Sequence, residues 1–400
     1  MTSEDLLLEA QHLARRGQVP AAAEIYHRIL RTNPRHFEAL SALGAIYFRH
    51  GQFDRAQYLL AEASKIDPLF TDGLCLRGIA LLQMNRHSEA LACFDRALAV
   101  RPDFVEALCN RGIALQEMQR YDEALATFDT AVAIQPRHAL SWNNRGSTLA
   151  AMQRNAEALE DFERALEIDP DLKEARENRE QVSFKLGRTS RAPAVYLQHL
   201  FDRFSTFYDD NMLKTLGYVG HTHLRKLAER VVPGIAPPLR ILDLGTGTGL
   251  VGEAFKDLAA GGCLDGIDLA PLMIEKARER GVYNDLILGD LEVVLMRDGP
   301  SYDLILSADT MIYIGDLAPT LTGVARRLRP GGFYFFMVES GDGESWEFTA
   351  NSRYRHGPDY LRAAAARAGL EFVDIMDCTL RTELSVPVPG FGVALSKPVA

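Results

Sequence analysis

The first half of the chain is patterned at a fixed interval of 34 residues. Small residues stand at Ala10, Gly44, Gly78, Gly112 and Gly146. A second series, Ala22, Ala56, Ala90, Ala124 and Ala158, is followed four positions later by Tyr26, Leu60, Phe94, Phe128 and Phe162. Three residues on come Ile29, Ala63, Ala97, Ala131 and Ala165, and each unit closes on a proline, from Pro34 to Pro170. This spacing predicts two antiparallel helices per unit. Small residues let the helices approach, the bulky residue fills the gap, and proline stops the second helix. Asp171 to Leu186 then predicts a polar-faced capping helix, which a stack of repeats needs at its end. Gly187 to Pro193 breaks the pattern and predicts a boundary, with one domain over residues 1–190 and another over 191–400. Tyr196 to Leu216 reads as aromatic and helical, part of a helical entry segment over residues 194–232. From Leu239 the pattern shifts to short apolar runs alternating with helices, which predicts a βαβ sheet.

Composition narrows the class. Four hundred residues, 47% hydrophobic and 24% charged, can bury a sizeable core. A formal charge of −10, spread over both halves, argues against affinity built on neutralising phosphates, so no nucleic-acid partner is expected. Met1 to Glu9 holds three acids and no base, unlike a signal or transit peptide, and no apolar run approaches a membrane span. Five cysteines without a CxxC pair fit a reducing cytoplasm and imply neither a disulfide framework nor a metal site. Cys75 and Cys109, themselves 34 apart, are expected to be small buried or groove-lining residues.

The chemistry is concentrated where Arg240 to Leu244 runs into Gly245-Thr246-Gly247-Thr248-Gly249 and a helix. Glycines let a ligand approach the backbone, and a helix N-terminus offers free N–H groups. Gly247, Gly249 and Gly252 can be read as GxGxxG, so a dinucleotide site is one reading. Asp243 beside the turn suits a cationic ligand better than a pyrophosphate, and a sulfonium with an amino-acid tail fits. The second strand ends at Asp268, where an acid can accept from ribose hydroxyls, as it also could for NAD. The third strand leads to Gly289-Asp290, and the fourth, Tyr302 to Ser307, to Ala308-Asp309. Arg326 to Gly332 turns a helix into a fifth strand, Phe333 to Val338.

All five repeats resemble the tetratricopeptide repeat, with Trp142, Gly146, Ala158, Phe162 and Pro170 the fullest match. From Leu239 to Val399 the motifs resemble the class I S-adenosylmethionine-dependent methyltransferases. Together with the entry segment, the chain resembles bacterial tetratricopeptide-repeat methyltransferases. The resemblance implies an all-α superhelical solenoid followed by a Rossmann-like domain with a mostly parallel seven-stranded sheet. It implies S-adenosylmethionine as cofactor and S-adenosylhomocysteine as product. Gly245, Thr246, Gly247 and Gly249 would wrap the amino-acid part, with Asp243 near the ammonium. Asp268 would hold the ribose, Leu269 and Met273 would pack on the adenine, and Asp290 and Leu291 would address its edge, with Ala308 in the same wall. The entry segment, Tyr208 included, would roof the cofactor, although His221 stands where related sequences tend to carry proline.

Methyl transfer needs the acceptor positioned about 3 Å from the methyl group, and a base only if the acceptor must lose a proton. Candidate catalytic residues are Tyr313, Tyr354 and His356. Tyr208 and Arg381 are candidate acceptor contacts, Arg381 because it could pair with a carboxylate or phosphate. Asn110 and Asn144 hold one equivalent repeat position on the face made by the first helices, where some arrays of this family grip a peptide backbone. A protein or peptide partner is expected there, with self-association as another use of the face. The acceptor is a small molecule or a protein. The alternative to an enzyme is a repeat adaptor with a cofactor-binding but weak or inactive second domain. Intact glycines and the acids Asp268 and Asp290 argue against it, and the absence of an Asn-Pro-Pro-Tyr segment after Ser307 argues against DNA amino-methylation.

Overall fold

A computed structural model of the chain describes residues 2–205, 208–209, 212, 215–383 and 385–399. It divides into two compact units, Met1–Val182 and Ser183–Ala400.

The first unit is a series of helix pairs: α1 (Ser3–Arg15) with α2 (Val19–Thr32), α3 (Phe37–Arg49) with α4 (Phe53–Ile66), and α5 (Thr71–Gln83) with α6 (His87–Val100). They are followed by α7 (Val105–Glu117) with α8 (Tyr121–Ile134) and α9 (Ala139–Ala151) with α10 (Asn155–Ile168). The packing follows the sequence pattern residue by residue. A Cβ built on Gly112 would lie 2.3 Å from the Phe128 ring, so the helices meet only because that position carries no side chain. Phe94 and Phe128 are wholly buried, and so are the series alanines from Ala22 to Ala158. Burying one such aromatic ring stabilises the unit by roughly 1.5–3 kcal/mol. Cys75, Cys93 and Cys109 are buried among these helices, as expected for Cys75 and Cys109. Arginines on the first helices are held by acids on second helices. Arg111 Nε lies 2.7 Å from Asp95, and Arg145 Nε lies 3.1 Å from Asp129 and 3.3 Å from Asp161. α11 (Lys173–Lys185) follows the last repeat, and the boundary between the units falls within it.

The second unit opens with α12 (Ala194–Phe204) and α13 (Gly220–Val231) and then builds a sheet. Its strands are β1 (Arg240–Leu244), β2 (Cys263–Asp268), β3 (Asp285–Leu288), β4 (Tyr302–Ser307), β5 (Leu328–Ser340), β6 (Trp346–Phe348), β7 (Tyr354–His356), β8 (Glu371–Glu383) and β9 (Val386–Ser396). The connecting helices are α14 (Leu250–Phe255), α15 (Pro271–Arg280), α16 (Leu291–Met296), α17 (Ala318–Arg327) and α18 (Pro358–Arg367). Seven strands run in the order β3-β2-β1-β4-β5-β9-β8, parallel through β5 and antiparallel from β9. That is the expected seven-stranded arrangement. A short β6–β7 hairpin joins it, with β7 parallel to the end of β5 at Glu339 and Ser340, making nine strands. Three-residue strands carry too little alternation to show in an apolar pattern.

Two cores sandwich the sheet. Leu242, Ile305, Tyr334 and Phe336 face one way toward α17 and α18, while Ile241, Leu304, Phe335 and Met337 face α13 and α14. The alternation along β1, β4 and β5 leaves no polar face, as a sheet covered on both sides requires. The carboxyl ends of the parallel strands form one edge, and ligands of such sheets bind there.

Candidate active site

A cavity lies at this edge, lined mainly by apolar and aromatic side chains with a few convergent carboxylates, the usual make-up of a small-molecule site. Its wall includes the turn after β1, the ends of β2 and β4, and the loop after β3. Of the residues singled out in the sequence, Tyr208, Gly245, Gly247, Asp268, Leu269, Met273, Asp290, Leu291, Ala308 and Tyr313 line it. In the roof segment, residues 206, 207, 210, 211, 213 and 214 lie outside the described residues.

Backbone geometry explains the turn. Gly245 has φ +75 and Gly247 has φ +53, the left-handed region that a side chain disfavours. A Cβ on Gly245 would also sit 2.2 Å from the Thr310 hydroxyl, so β1 and the loop after β4 touch only through glycine. Gly247 in turn donates its N–H to Asp268 Oδ2 at 2.8 Å, while Ala270 donates to Oδ1 at 2.9 Å. These two bonds fix the Asp268 carboxylate toward the cavity. Burial raises its pKa, and the backbone N–H groups act against that rise.

Asp290 is the N-cap of α16, its Oδ1 accepting from Glu292 N at 2.9 Å and Val293 N at 3.4 Å. Its Oδ2 accepts from Arg191 at 2.6 Å, and Arg191 also pairs with Glu292. Nothing in the linear sequence signalled Arg191, which lines the cavity from a segment pairing with Ile314 across the loop after β4. A salt bridge between residues 99 apart has no local signature.

Asp243, Thr246 and Gly249 support the turn without lining the cavity. Asp243 is fully buried, and its Oδ2 accepts from the Tyr283 hydroxyl at 2.7 Å. Burial pushes its pKa up to about 7. Its Oδ1 and the Thr246 hydroxyl are buried with no partner among the described residues. Gly249, at φ +93, is the N-cap of α14. The roof is tied down beside it, with Asp209 accepting from the Thr248 hydroxyl and from Arg280. His221 is half-buried with its ring tilted on Tyr218, and burial lowers its pKa.

Three expectations are corrected. His356 lies on β7 with no exposed surface, its Nε2 donating to the Gly315 carbonyl at 3.0 Å. Burial lowers its pKa to about 4, so it is a neutral structural ring outside the cavity lining. Tyr354 is equally buried and donates its hydroxyl to Thr189 O at 2.7 Å. Arg381, 1% exposed, reaches no solvent with which to meet a substrate anion. It is held by Asp309 at 2.8 Å, by Glu383 at 2.7 Å and by Glu339. Tyr313 alone of the candidate catalytic residues lines the cavity, next to Asp309 and Thr310, for which the sequence implies no role.

In the first unit, Asn110 and Asn144 occupy the same position of α7 and α9 and are half-buried. Asn110 Nδ2 donates to Glu106 O at 2.8 Å, and Asn144 Oδ1 accepts from Asn143 at 3.4 Å.

Comparison with known proteins identifies both parts of the chain. A methyltransferase domain family model matches residues 241–332, and tetratricopeptide repeat models match residues 7–69, 71–104 and 103–171. A malonyl-[acyl-carrier protein] O-methyltransferase of Geobacter sulfurreducens is 31% identical over 158 residues, 35% of this chain and 58% of the relative. Aklanonic acid methyltransferase of a Streptomyces species is 33% identical over 141 residues, 33% of this chain and 60% of the relative. The chain thus spans under two thirds of the length of either. Among solved structures, a tetratricopeptide-repeat protein described as having an unusual peptide-binding site matches with a TM-score of 0.40 and 24% identity. That match covers 43% of this chain and 88% of the other. The matches thus place tetratricopeptide repeats in the first unit and a methyltransferase domain in the second.

Proposed function

We propose that this chain is an S-adenosylmethionine-dependent methyltransferase whose repeats recruit a protein partner or the methyl acceptor itself. The observation that carries this reading is the single cavity that brings together Gly247, Asp268 and Asp290 from the ends of neighbouring strands. The residues present fit such a cofactor. Gly245 and Gly247 allow close backbone approach, and Asp243 Oδ1 and Thr246 Oγ1 are buried polar atoms lacking partners among the described residues.

When bound, S-adenosylmethionine supplies an activated methyl group on a sulfonium. Asp268 is placed to hold the ribose: each oxygen already takes one backbone N–H, and a carboxylate has about four acceptor positions, leaving room for both hydroxyls. Leu269, Met273 and Leu291 would give an apolar surface for the adenine, and Asp290 would address its edge. Phe201, Tyr208 and Tyr313 close the cavity with aromatic rings and exclude water. The names of the relatives favour an oxygen atom as acceptor. Asn110 and Asn144 are the residues proposed to meet a peptide on the repeats.

The decisive experiment is calorimetry of the full chain with S-adenosylhomocysteine. One site per chain is expected, weakened by Asp268→Ala, and absence of binding would overturn the reading. Incubating cell lysate with the chain and methyl-labelled S-adenosylmethionine then shows whether label enters protein or a small-molecule fraction.

A further inference from the structure

Strand order divides the cavity into two ends. Asp268 and Asp290 follow β2 and β3, on one side of the β1 glycine turn, while Asp309 follows β4 on the other. With the cofactor placed as proposed above, the β4 side is left for the acceptor. Asp309 is held there rigidly. Its φ is +56, and the chain on either side is pinned to β1, with Ser307 Oγ donating to Leu244 O at 3.0 Å and Thr310 Oγ1 facing the same carbonyl at 3.2 Å. Asp309 Oδ1 accepts from Arg381 at 2.8 Å, while no donor among the described residues meets its Oδ2. Its side chain keeps 13% exposure in the wall of the cavity.

The surroundings decide what this oxygen can meet. Arg381 is 1% exposed and shared among Asp309, Glu339 and Glu383, and Arg353 is paired with Glu383 and lies 3.6 Å from Glu339. Among the described residues, no cation at this end of the cavity is left unpaired to receive an anionic acceptor. Aromatic rings also line the cavity, with Phe201 5.6 Å from Tyr313 at a near-perpendicular angle and 6.4 Å from Tyr208.

We infer that Asp309 Oδ2 is the acceptor-end base, and that the methyl acceptor is a flat apolar molecule bearing a phenolic or enolic hydroxyl rather than a free carboxylate. The hydroxyl donates to Oδ2 while its ring packs among the aromatic side chains. As the oxygen lone pair forms the new carbon–oxygen bond, the carbon–sulfur pair leaves with sulfur and the hydroxyl proton passes to Asp309. Arg381 is a positioning residue that keeps the carboxylate ionised until then, while burial raises its affinity for the proton. A carboxylate acceptor would instead bring a second negative charge against Oδ2 in a low-dielectric wall, and such like-charge contacts are costly.

This inference rests on the methyltransferase reading, and the test separates the two. The full chain is saturated with S-adenosylhomocysteine and titrated at neutral pH with 2-naphthol, a neutral hydroxyl probe, and with 2-naphthoate, its anionic counterpart. Wild type should bind 2-naphthol at least tenfold more tightly. Asp309→Asn should abolish that preference while leaving S-adenosylhomocysteine affinity within about twofold of wild type. With S-adenosylmethionine, its turnover of 2-naphthol should fall by roughly 10²–10⁴, the range for loss of a general base. Failure of S-adenosylhomocysteine to bind wild type refutes the methyltransferase reading. Binding of that ligand with 2-naphthoate equal to or tighter than 2-naphthol, or a preference unchanged in the variant, refutes only the role of Asp309. Should Asp309→Asn not fold, Asp309→Ser is the second variant, and the wild-type preference by itself still overturns the inference if reversed.

Discussion

Arg191 Nη2 donates to Asp290 Oδ2 at 2.6 Å, occupying the carboxylate oxygen that stands at the proposed adenine edge. Asp290 does not need this bond for its orientation, because two N–H groups of α16 already hold Oδ1. Arg191 is a third exposed, so the pair is worth little to stability, of the order of 1 kcal/mol or less. Arg191→Met should free Oδ2 and tighten S-adenosylhomocysteine binding by a few fold in calorimetry. Weaker binding would place Arg191 in the adenine grip instead of in competition with it.

Asp268 offers the cleaner separation of binding from folding. Asp268→Asn keeps one carbonyl oxygen for a backbone N–H but turns the other acceptor into a donor that faces Gly247 N or Ala270 N. Losing a hydrogen bond to a charged group costs about 1.5–3 kcal/mol. S-adenosylhomocysteine should therefore bind at least tenfold more weakly to Asp268→Asn or Asp268→Ala. Equal affinity in parallel titrations would remove Asp268 from the ribose site.

Periodic and local features could be read from the sequence, and contacts between distant residues could not. Gly112 and Phe128 announce their contact because the same pair of types recurs every 34 residues, so one local rule is stated five times. Gly245, Gly247 and Asp268 are legible because strand, turn and acid follow each other in the chain. His356 and Arg381 were misread for a single reason. A polar side chain in sequence looks available, and only the fold shows His356 enclosed beneath Gly315 or Arg381 enclosed by Glu339, Glu383 and Asp309. Arg191 and Asp309 carry no role legible in the sequence because their partners lie 99 and 72 positions away.

The repeat geometry makes a prediction of its own. Gly112→Ala places a methyl group 2.3 Å from the Phe128 ring, which is too close unless the buried ring or its helix shifts. Overpacking of this kind costs typically 1–3 kcal/mol. The melting transition of the repeat unit should fall accordingly, and Gly112→Ala combined with Phe128→Leu should recover part of the loss. Additive losses in the double variant would show that the two residues do not compete for the same space.

His356 and Asp243 set opposing slopes of stability against pH. The folded pKa of His356, about 4, lies below the ordinary imidazole value of 6.5, so between these pH values the unfolded chain binds more protons. Its contribution is complete above pH 6.5 and is lost as pH falls toward 4, by about 3 kcal/mol at 1.36 kcal/mol per unit. Asp243 runs the other way. Its folded pKa of about 7 lies above 3.8, so the folded chain holds the extra proton and stability falls as pH rises from about 4 to 7. Because the windows overlap, the wild-type profile hides both slopes, and each must be read as a difference. Denaturant unfolding of His356→Gln should lose less stability than wild type on going from pH 7 to pH 5. Asp243→Asn, whose side-chain oxygen can still accept from Tyr283, should gain relative to wild type on going from pH 5 to pH 8. Parallel pH profiles for wild type and either variant would show that the buried group titrates alike in the folded and unfolded chain.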